Sequence, residues 1–207
     1  MKLYGTYPSH FTRKVRILLQ ELQIPYEFIV ITALMDVGAE KFAGNPLHQF
    51  PVLEDGAKKL IESDIICEYL IENYGKNSAI KTFLPNEENK YADLKRLAII
   101  NGVMSSGVKL IRGKRSEIAN LEQYPFFRQE KAAALAGLEW LNKDLGHCDS
   151  YYLGRLTMLD ISLQCLCEWV VFREIIPNLA LYPNLNYFVE QNKNRASFAL
   201  THPSKIN

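Results

Sequence analysis

The chain has 207 residues and a mass of 23.8 kDa, which leaves room for one large domain or two small ones. With 48% apolar and 23% charged residues, its composition excludes a disordered or fibrous protein and is typical of a folded globular one. Lysine and arginine (24) outnumber aspartate and glutamate (23) by one, so no strong overall field would attract nucleic acid or an anionic membrane.

Neither a membrane span nor a signal peptide is expected. No stretch reaches the ~18 apolar residues that cross a bilayer, and the N-terminus enters a strand-like pattern directly. The cysteines at 67, 148, 165 and 167 do not form a disulfide framework, which favours a reducing, cytoplasmic compartment. The histidines lack the spacing of metal ligands, so we expect no metal site.

The first part of the chain mixes the apolar spacing of strands with that of helices. It predicts a strand, a helix and a strand, followed by two strands and a helix. The predicted ranges are 1–5, 12–22, 26–31, 51–56, 58–62 and 63–74. Gly75 is the expected stop of the last helix.

The second part of the chain is predicted to be helical. A linker is expected over residues 77–85, where the periodicity lapses around a proline. Apolar residues then recur at three-to-four spacing in four segments, 87–118, 125–146, 158–174 and 183–193. Thr157 and Asp160 have the form of a capping box at the start of the third segment.

The turn between the first strand and the first helix holds the first candidate site residue, Ser9. Backbone N–H groups and the positive end of the dipole at a helix N-terminus stabilise an anion such as a thiolate. The Ser9 hydroxyl could donate to that anion, or Ser9 or Thr12 could act only as the helix cap. Redox proteins of the thioredoxin architecture carry Cys-x-x-Cys here, and Ser9-x-x-Thr12 therefore argues against dithiol chemistry.

Two more candidates lie at the ends of predicted strands. The Phe50–Pro51 bond is either trans at a sheet edge or cis, and a cis bond would free the Phe50 N–H and C=O for an extended peptide. Ser63 can cap the following helix and bind a carboxylate there, while Glu62 can accept from an ammonium group. Glu62 and Ser63 fit an amino-acid zwitterion, and they also fit an ordinary helix start.

Together, these motifs resemble the cytosolic glutathione transferase superfamily over essentially the whole chain. The resemblance is carried by Ser9–Arg16, Asn45-Pro46, Phe50–Leu53, Glu62–Leu70 and Thr157-x-x-Asp160. It implies an α/β thioredoxin-like domain over residues 1–78 that binds glutathione. It also implies an all-α domain over residues 86–207, and usually a homodimer.

The resemblance further implies roles for single residues. Phe50, before a cis Pro51, would pair with the cysteinyl backbone of glutathione, and Glu62 with Ser63 would hold its γ-glutamyl group. Gln49 stands where a lysine often lies near the glycyl carboxylate, and it can donate a hydrogen bond but carries no charge.

The hydroxyl that faces the glutathione sulfur would be Ser9, as in the serine-type classes. Tyr4 and Tyr7 offer a phenol instead, as in the tyrosine-type classes, but Tyr4 lies slightly early in the strand and Tyr7 close to the turn. Ser9 is therefore the predicted catalytic residue.

The predicted function is that of a glutathione transferase, with glutathione as co-substrate for detoxification of a small hydrophobic electrophile or for a related reduction. The alternative is a non-catalytic regulator that binds RNA polymerase, because stringent-starvation-type regulators resemble transferases throughout and share the Glu-Ser pair. Ser9 favours the enzyme, whereas His48 and Gln49 leave room for the regulator.

Overall fold

A computed structural model describes residues 1–32, 38–80, 89–148 and 150–205. The chain divides into two compact units. One comprises Met1–Pro85 together with Asn194–Asn207, and the other comprises Asn86–Lys193.

The C-terminal segment is where this division differs from the predicted domains. The second domain was expected to run over 86–207, but the residues from Asn194 onward, which include the short helix α7 (Ala196–Leu200), group with the first unit. Part of the predicted linker, residues 81–85, lies outside the described residues.

The first unit is built on a four-stranded mixed sheet. Its strands lie in the spatial order β2-β1-β3-β4, with the bounds β1 (Lys2–Gly5), β2 (Glu27–Val30), β3 (Val52–Asp55) and β4 (Lys58–Ile61). β1 runs parallel to β2 and antiparallel to β3, and β3 runs antiparallel to β4. Leu3 and Leu53 are opposite each other on the two central strands and are fully buried. This sheet confirms the predicted thioredoxin-like architecture.

Two longer helices, α1 (His10–Glu21) and α2 (Ser63–Tyr74), pack against each other in this unit. α1 begins before the predicted residue 12 because Ser9 is its cap. Ser63, predicted as the cap of α2, is instead its first helical residue. Glu62 holds the cap position with a φ of 67°, and its side chain makes no capping hydrogen bond.

Buried polar contacts join α1 to the C-terminal segment. The Arg13 side chain is almost fully buried, and it donates from Nε to Thr201 Oγ1 (3.2 Å) and from Nη2 to the Phe198 carbonyl (3.1 Å). Near the end of α1, Glu21 accepts from Arg195 Nε (2.7 Å) and Nη2 (2.6 Å). A buried guanidinium needs acceptors, and these lie beyond residue 193, which is why the segment belongs with the first unit.

The second unit consists of helices joined by turns and loops, with no strand in its described part. Its helices are α3 (Lys90–Arg115), α4 (Pro125–Leu145), α5 (Met158–Phe172) and α6 (Pro183–Asn192). α3 packs against α4 and α5, and α5 opens with the predicted capping box of Thr157 and Asp160. These helices confirm the predicted all-α character. Over the described ranges, no helix has the length and apolar character needed to cross a membrane.

We expect Asp160→Ala to lower the free energy of unfolding by about 1–3 kcal/mol, because buried N–H groups would lose their acceptor. Asp160 is fully buried and accepts from the N–H groups of Tyr152 and Thr157, each at 2.7 Å. Urea denaturation measures the effect. Glu190→Ala is the matched control, since Glu190 pairs with Lys193 in solvent. Equal stability of Asp160→Ala and the wild type would contradict the capping role.

A second prediction concerns the link between α1 and the C-terminal segment. Burial raises the pKa of Glu21, but hydrogen bonds from Arg195 and Ser197 outweigh burial and hold that pKa below its usual value. A lowered pKa in the folded state adds stability above the pKa of the unfolded chain, and this stability is lost as the pH falls through the folded-state pKa.

Glu21→Gln should therefore lower the free energy of unfolding by about 2 kcal/mol at pH 7, and the difference from the wild type should shrink from roughly pH 5 to pH 3. Urea denaturation at several pH values measures this difference, with Glu190→Gln as the control. A difference that stays constant over this pH range would contradict the assignment.

Candidate functional site

Three hydrogen bonds fix Ser9 between the preceding turn and α1. Its N–H donates to the Thr6 carbonyl (3.2 Å), and its own carbonyl accepts from the Arg13 N–H (2.9 Å). Its Oγ accepts from the Thr12 N–H at 3.2 Å, and the residue is 7% exposed. The position of the hydroxyl is thus fixed at the N-terminus of α1.

Capping does not use the hydrogen of the Ser9 hydroxyl. A serine hydroxyl has one hydrogen to donate and two lone pairs, and the bond from Thr12 occupies a lone pair. No acceptor for the Ser9 hydroxyl lies among the described residues. The two roles weighed for Ser9 in the sequence, helix cap and donor to an anion, are therefore compatible in one geometry.

Gly5 allows β1 to end directly against the first turn of α1. A Cβ atom at Gly5 would lie 2.4 Å from Thr12 Cγ2 and 2.5 Å from Thr12 Oγ1, and Thr12 is fully buried. Any side chain at this position would push the first turn of α1 away from the sheet. Gly5 was not predicted as a site residue, although a glycine in a strand is a known signal of close backbone approach.

The two tyrosines near Ser9 face other partners. The Tyr4 hydroxyl donates to Glu54 Oε2 at 2.7 Å, and this hydrogen bond to a carboxylate raises the Tyr4 pKa. The Tyr7 ring packs edge-on against Phe28, with ring centroids 5.0 Å apart, and the Arg16 guanidinium lies 5.0 Å from the Tyr7 ring centroid. The Tyr4 phenol is therefore engaged by a carboxylate, whereas the hydrogen of the Ser9 hydroxyl has no acceptor among the described residues.

The Phe50–Pro51 peptide bond is cis, which decides between the two alternatives left by the sequence. Phe50 lies just before β3 and is half-buried. Its backbone N–H and C=O make no hydrogen bond within the described part of the chain. Both groups are therefore available to the backbone of an extended ligand.

Asn45 shapes the loop that leads to Phe50. It is 2% exposed, and its Nδ2 donates to the Gln49 carbonyl (2.8 Å). Its Oδ1 accepts from the Leu47 N–H (2.9 Å), and its carbonyl accepts from the His48 N–H (3.0 Å). The loop holds the Gln49 side chain exposed beside the free backbone of Phe50. The sequence contained Asn45 in a motif but gave no sign of this role.

Glu62 and Ser63 form a strained corner between β4 and α2. Glu62 is exposed and adopts φ 67° and ψ 119°, a conformation that costs a non-glycine residue about 1–3 kcal/mol. Ser63 is 6% exposed and lies in the first turn of α2, where backbone N–H groups attract an anion. Neither side chain has a hydrogen-bond or ion-pair partner among the residues described. Backbone strain of this kind clusters at ligand clamps.

The sheet register brings the predicted site residues to one end of the first unit. Tyr4, near the end of β1, lies opposite Val52, the first residue of β3, and Val52 lies opposite Ile61, the last residue of β4. The turns that follow β1, precede β3 and follow β4 therefore share one end of the sheet. They contain all the predicted site residues, Ser9, Gln49, Phe50, Pro51, Glu62 and Ser63. Across the described ranges, no group of three or more histidine, cysteine, aspartate or glutamate side chains could hold a metal ion.

Comparison with known proteins gives matches along the whole chain. A family model described as the glutathione S-transferase N-terminal domain matches residues 3–78. The uncharacterized GST-like protein YibF of Escherichia coli K12 is 32% identical over 99% of this chain and 100% of its own length. Mouse maleylacetoacetate isomerase is 26% identical over 98% of this chain and 92% of its own.

A solved structure has the same fold. The glutathione S-transferase of Methylobacterium radiotolerans, in complex with glutathione sulfonate, superposes with a TM-score of 0.84 at 23% identity, over 100% of this chain and 96% of its own. This likeness bears on the fold alone, whereas the match to YibF spans both proteins at 32% identity. The chain therefore belongs to the cytosolic glutathione transferase superfamily.

Proposed function

We propose that the protein binds glutathione and activates its thiol for attack on a small hydrophobic electrophile or for a related glutathione-dependent reduction. The observation that carries this proposal is the Ser9 hydroxyl, which caps α1 while its hydrogen has no acceptor among the described residues. It shares one end of the sheet with Phe50 and Glu62. Membership of the superfamily supports the same function.

Each end of the tripeptide has a matching group in the first unit. The free N–H and C=O of Phe50 would pair with the cysteinyl backbone. The unpartnered Glu62 carboxylate would accept from the γ-glutamyl ammonium group, and Ser63 at the N-terminus of α2 would hold the γ-glutamyl carboxylate. The exposed Gln49 amide would donate to the glycyl carboxylate without adding a charge.

Activating the thiol requires only a modest free energy of thiolate stabilisation. A free thiol with a pKa of ~8.5 is only a few per cent ionised at pH 7. Lowering that pKa by ~2 units requires about 2.7 kcal/mol of preferential thiolate stabilisation. One hydroxyl hydrogen bond to the anion, added to the N-terminus of α1, can supply that amount.

The chemical step then follows from the ionised sulfur. The thiolate forms a carbon–sulfur bond to the electrophile, and the leaving group departs with its bonding electron pair. Ser9 takes no proton in this step, because the thiol proton has already gone to solvent. The hydroxyl holds the sulfur charge until the bond forms.

A second candidate is glutathione-dependent isomerisation, favoured by the full-length relationship to mouse maleylacetoacetate isomerase. The same thiolate would add to a conjugated double bond, allow rotation about the resulting single bond, and leave again. Glutathione would then be needed but not consumed, which separates the two reactions in a thiol assay. None of these comparisons supports the RNA polymerase-binding regulator.

We further propose that the enzyme is a cytoplasmic homodimer that serves detoxification, as the superfamily resemblance implies. Size-exclusion chromatography with light scattering tests the assembly. A mass of twice 23.8 kDa supports the dimer, and a mass of 23.8 kDa contradicts it.

Replacing Ser9 tests the catalytic assignment. In Ser9→Ala the pKa of the bound glutathione thiol should rise by about 1–2 units, with turnover at pH 7 falling about tenfold or more, because the donor to the thiolate is lost. Isothermal titration first establishes binding by the wild type, and ultraviolet absorbance of the thiolate against pH then reports its pKa.

Two matched variants separate donation from helix capping at Ser9. Ser9→Gly removes the hydroxyl with little loss of capping, whereas Ser9→Thr keeps both functions. Donation predicts a raised thiol pKa in the Ala and Gly variants and a near-normal one in the Thr variant. Binding of glutathione with an unchanged thiol pKa in both Ala and Gly variants would remove Ser9 from the mechanism.

Replacing Glu62 should affect the stability of the protein and its affinity for glutathione separately. Glu62→Gly relieves the positive φ and should raise the free energy of unfolding by about 1 kcal/mol, while Glu62→Ala keeps the strain and should not. Both variants lose the carboxylate, so glutathione should bind about tenfold or more weakly to each. Urea denaturation and isothermal titration measure the two effects. Wild-type affinity in either variant would contradict the γ-glutamyl assignment.

A further inference from the structure

Lys14 carries a charge into the interior of the first unit. Its side chain is 0% exposed, and its ammonium group forms an ion pair with Asp64 Oδ1, on a side chain that is 28% exposed. Taking an ammonium group out of water is costly, and replacing a buried ion pair by apolar side chains of similar volume is often neutral or stabilising. Packing stability alone therefore does not account for this pair.

The pair joins the starts of two helices. Lys14 lies little more than one helical turn after Ser9 on α1, and Asp64 directly follows Ser63 in the first turn of α2. α1 and α2 also pack against each other. The ion pair is thus a short connection between the hydroxyl proposed to face the sulfur and the corner proposed to hold the γ-glutamyl group.

Two acidic residues at the same corner differ in whether they have an ion-pair partner. Asp64 is paired with Lys14, whereas Glu62 is exposed and has no partner among the described residues. The Glu62 carboxylate is therefore left for a cation from outside the chain. An unpaired Asp64 would instead place a second negative charge beside the site of the ligand carboxylate.

We propose that Lys14 and Asp64 are positioning residues whose ion pair sets the spacing between the N-termini of α1 and α2. This inference rests on the proposed function. A ligand held at two ends gains from the second contact only when the spacing of the two sites matches it, and a preformed spacing avoids the cost of ordering the sites on binding. With the spacing set, one tripeptide can reach Ser9 and Glu62–Ser63 at once.

The test replaces both partners, because removing one alone would leave a buried or misplaced charge. In Lys14→Met/Asp64→Leu the wild-type melting temperature should be nearly kept, while the glutathione Kd rises about tenfold. The pKa of the bound thiol should rise toward that of free glutathione, because the sulfur no longer reaches Ser9. Lost stability alone would not move the thiol pKa of the folded, glutathione-bound fraction.

Glu21→Gln is the matched control, since it removes an ion pair from the other end of α1. It should leave both the Kd and the thiol pKa at wild-type values. If the double variant does not fold, Lys14→Met/Asp64→Asn takes its place, because it also removes both charges and keeps the shape of the Asp64 side chain on a partly exposed residue. The same rise in Kd and thiol pKa is then expected.

The outcomes separate this inference from the function on which it rests. A wild-type protein that binds no glutathione at millimolar concentration would refute the proposed function. A wild type that binds, with a folded variant that matches its Kd and thiol pKa, would overturn the positioning role and leave the function intact. Equal changes in the Glu21→Gln control would also overturn it, because the effect would then be general to α1.

Discussion

The pairing register of the three strands β1, β3 and β4 is the constraint on which the site depends. Leu3 lies opposite Leu53, and Leu53 opposite Leu60, so the apolar side chains of neighbouring strands line up across the sheet. A slip of one residue would move a strand's apolar residues to the other face. The same register places the ends of β1 and β4 beside the start of β3, and so gathers three distant turns at one end of the sheet.

Both helices that begin at this end direct the positive ends of their dipoles toward it, and this favours an anionic group there. The arrangement is costly to the fold. Glu62 is held at a positive φ, and Lys14 is buried with its charge. These features reduce stability or leave it unimproved, and the proposed binding of glutathione at several points would account for them.

The C-terminal segment shows how a buried charge can decide which part of the chain completes a unit. Arg13 needs acceptors inside the first unit, and Thr201 and Phe198 supply them from the far end of the sequence. Glu21 repeats the pattern with Arg195. The helix that carries Ser9 is therefore held by the sheet, by α2 and by residues that follow the entire second unit.

Local pattern determined the order of strands and helices, limited the cap of α1 to Ser9 or Thr12, and predicted the capping box at Thr157 and Asp160, because each depends on residues a few positions apart. The same kind of pattern singled out Phe50, Pro51, Glu62 and Ser63. Only tertiary structure decided that the Phe50–Pro51 bond is cis, that Glu62 rather than Ser63 holds the cap position, and that the C-terminal segment joins the first unit. The isomer of a prolyl bond, the strain at a corner and the partner of a buried charge are set by neighbours distant in sequence, and no local pattern encodes them.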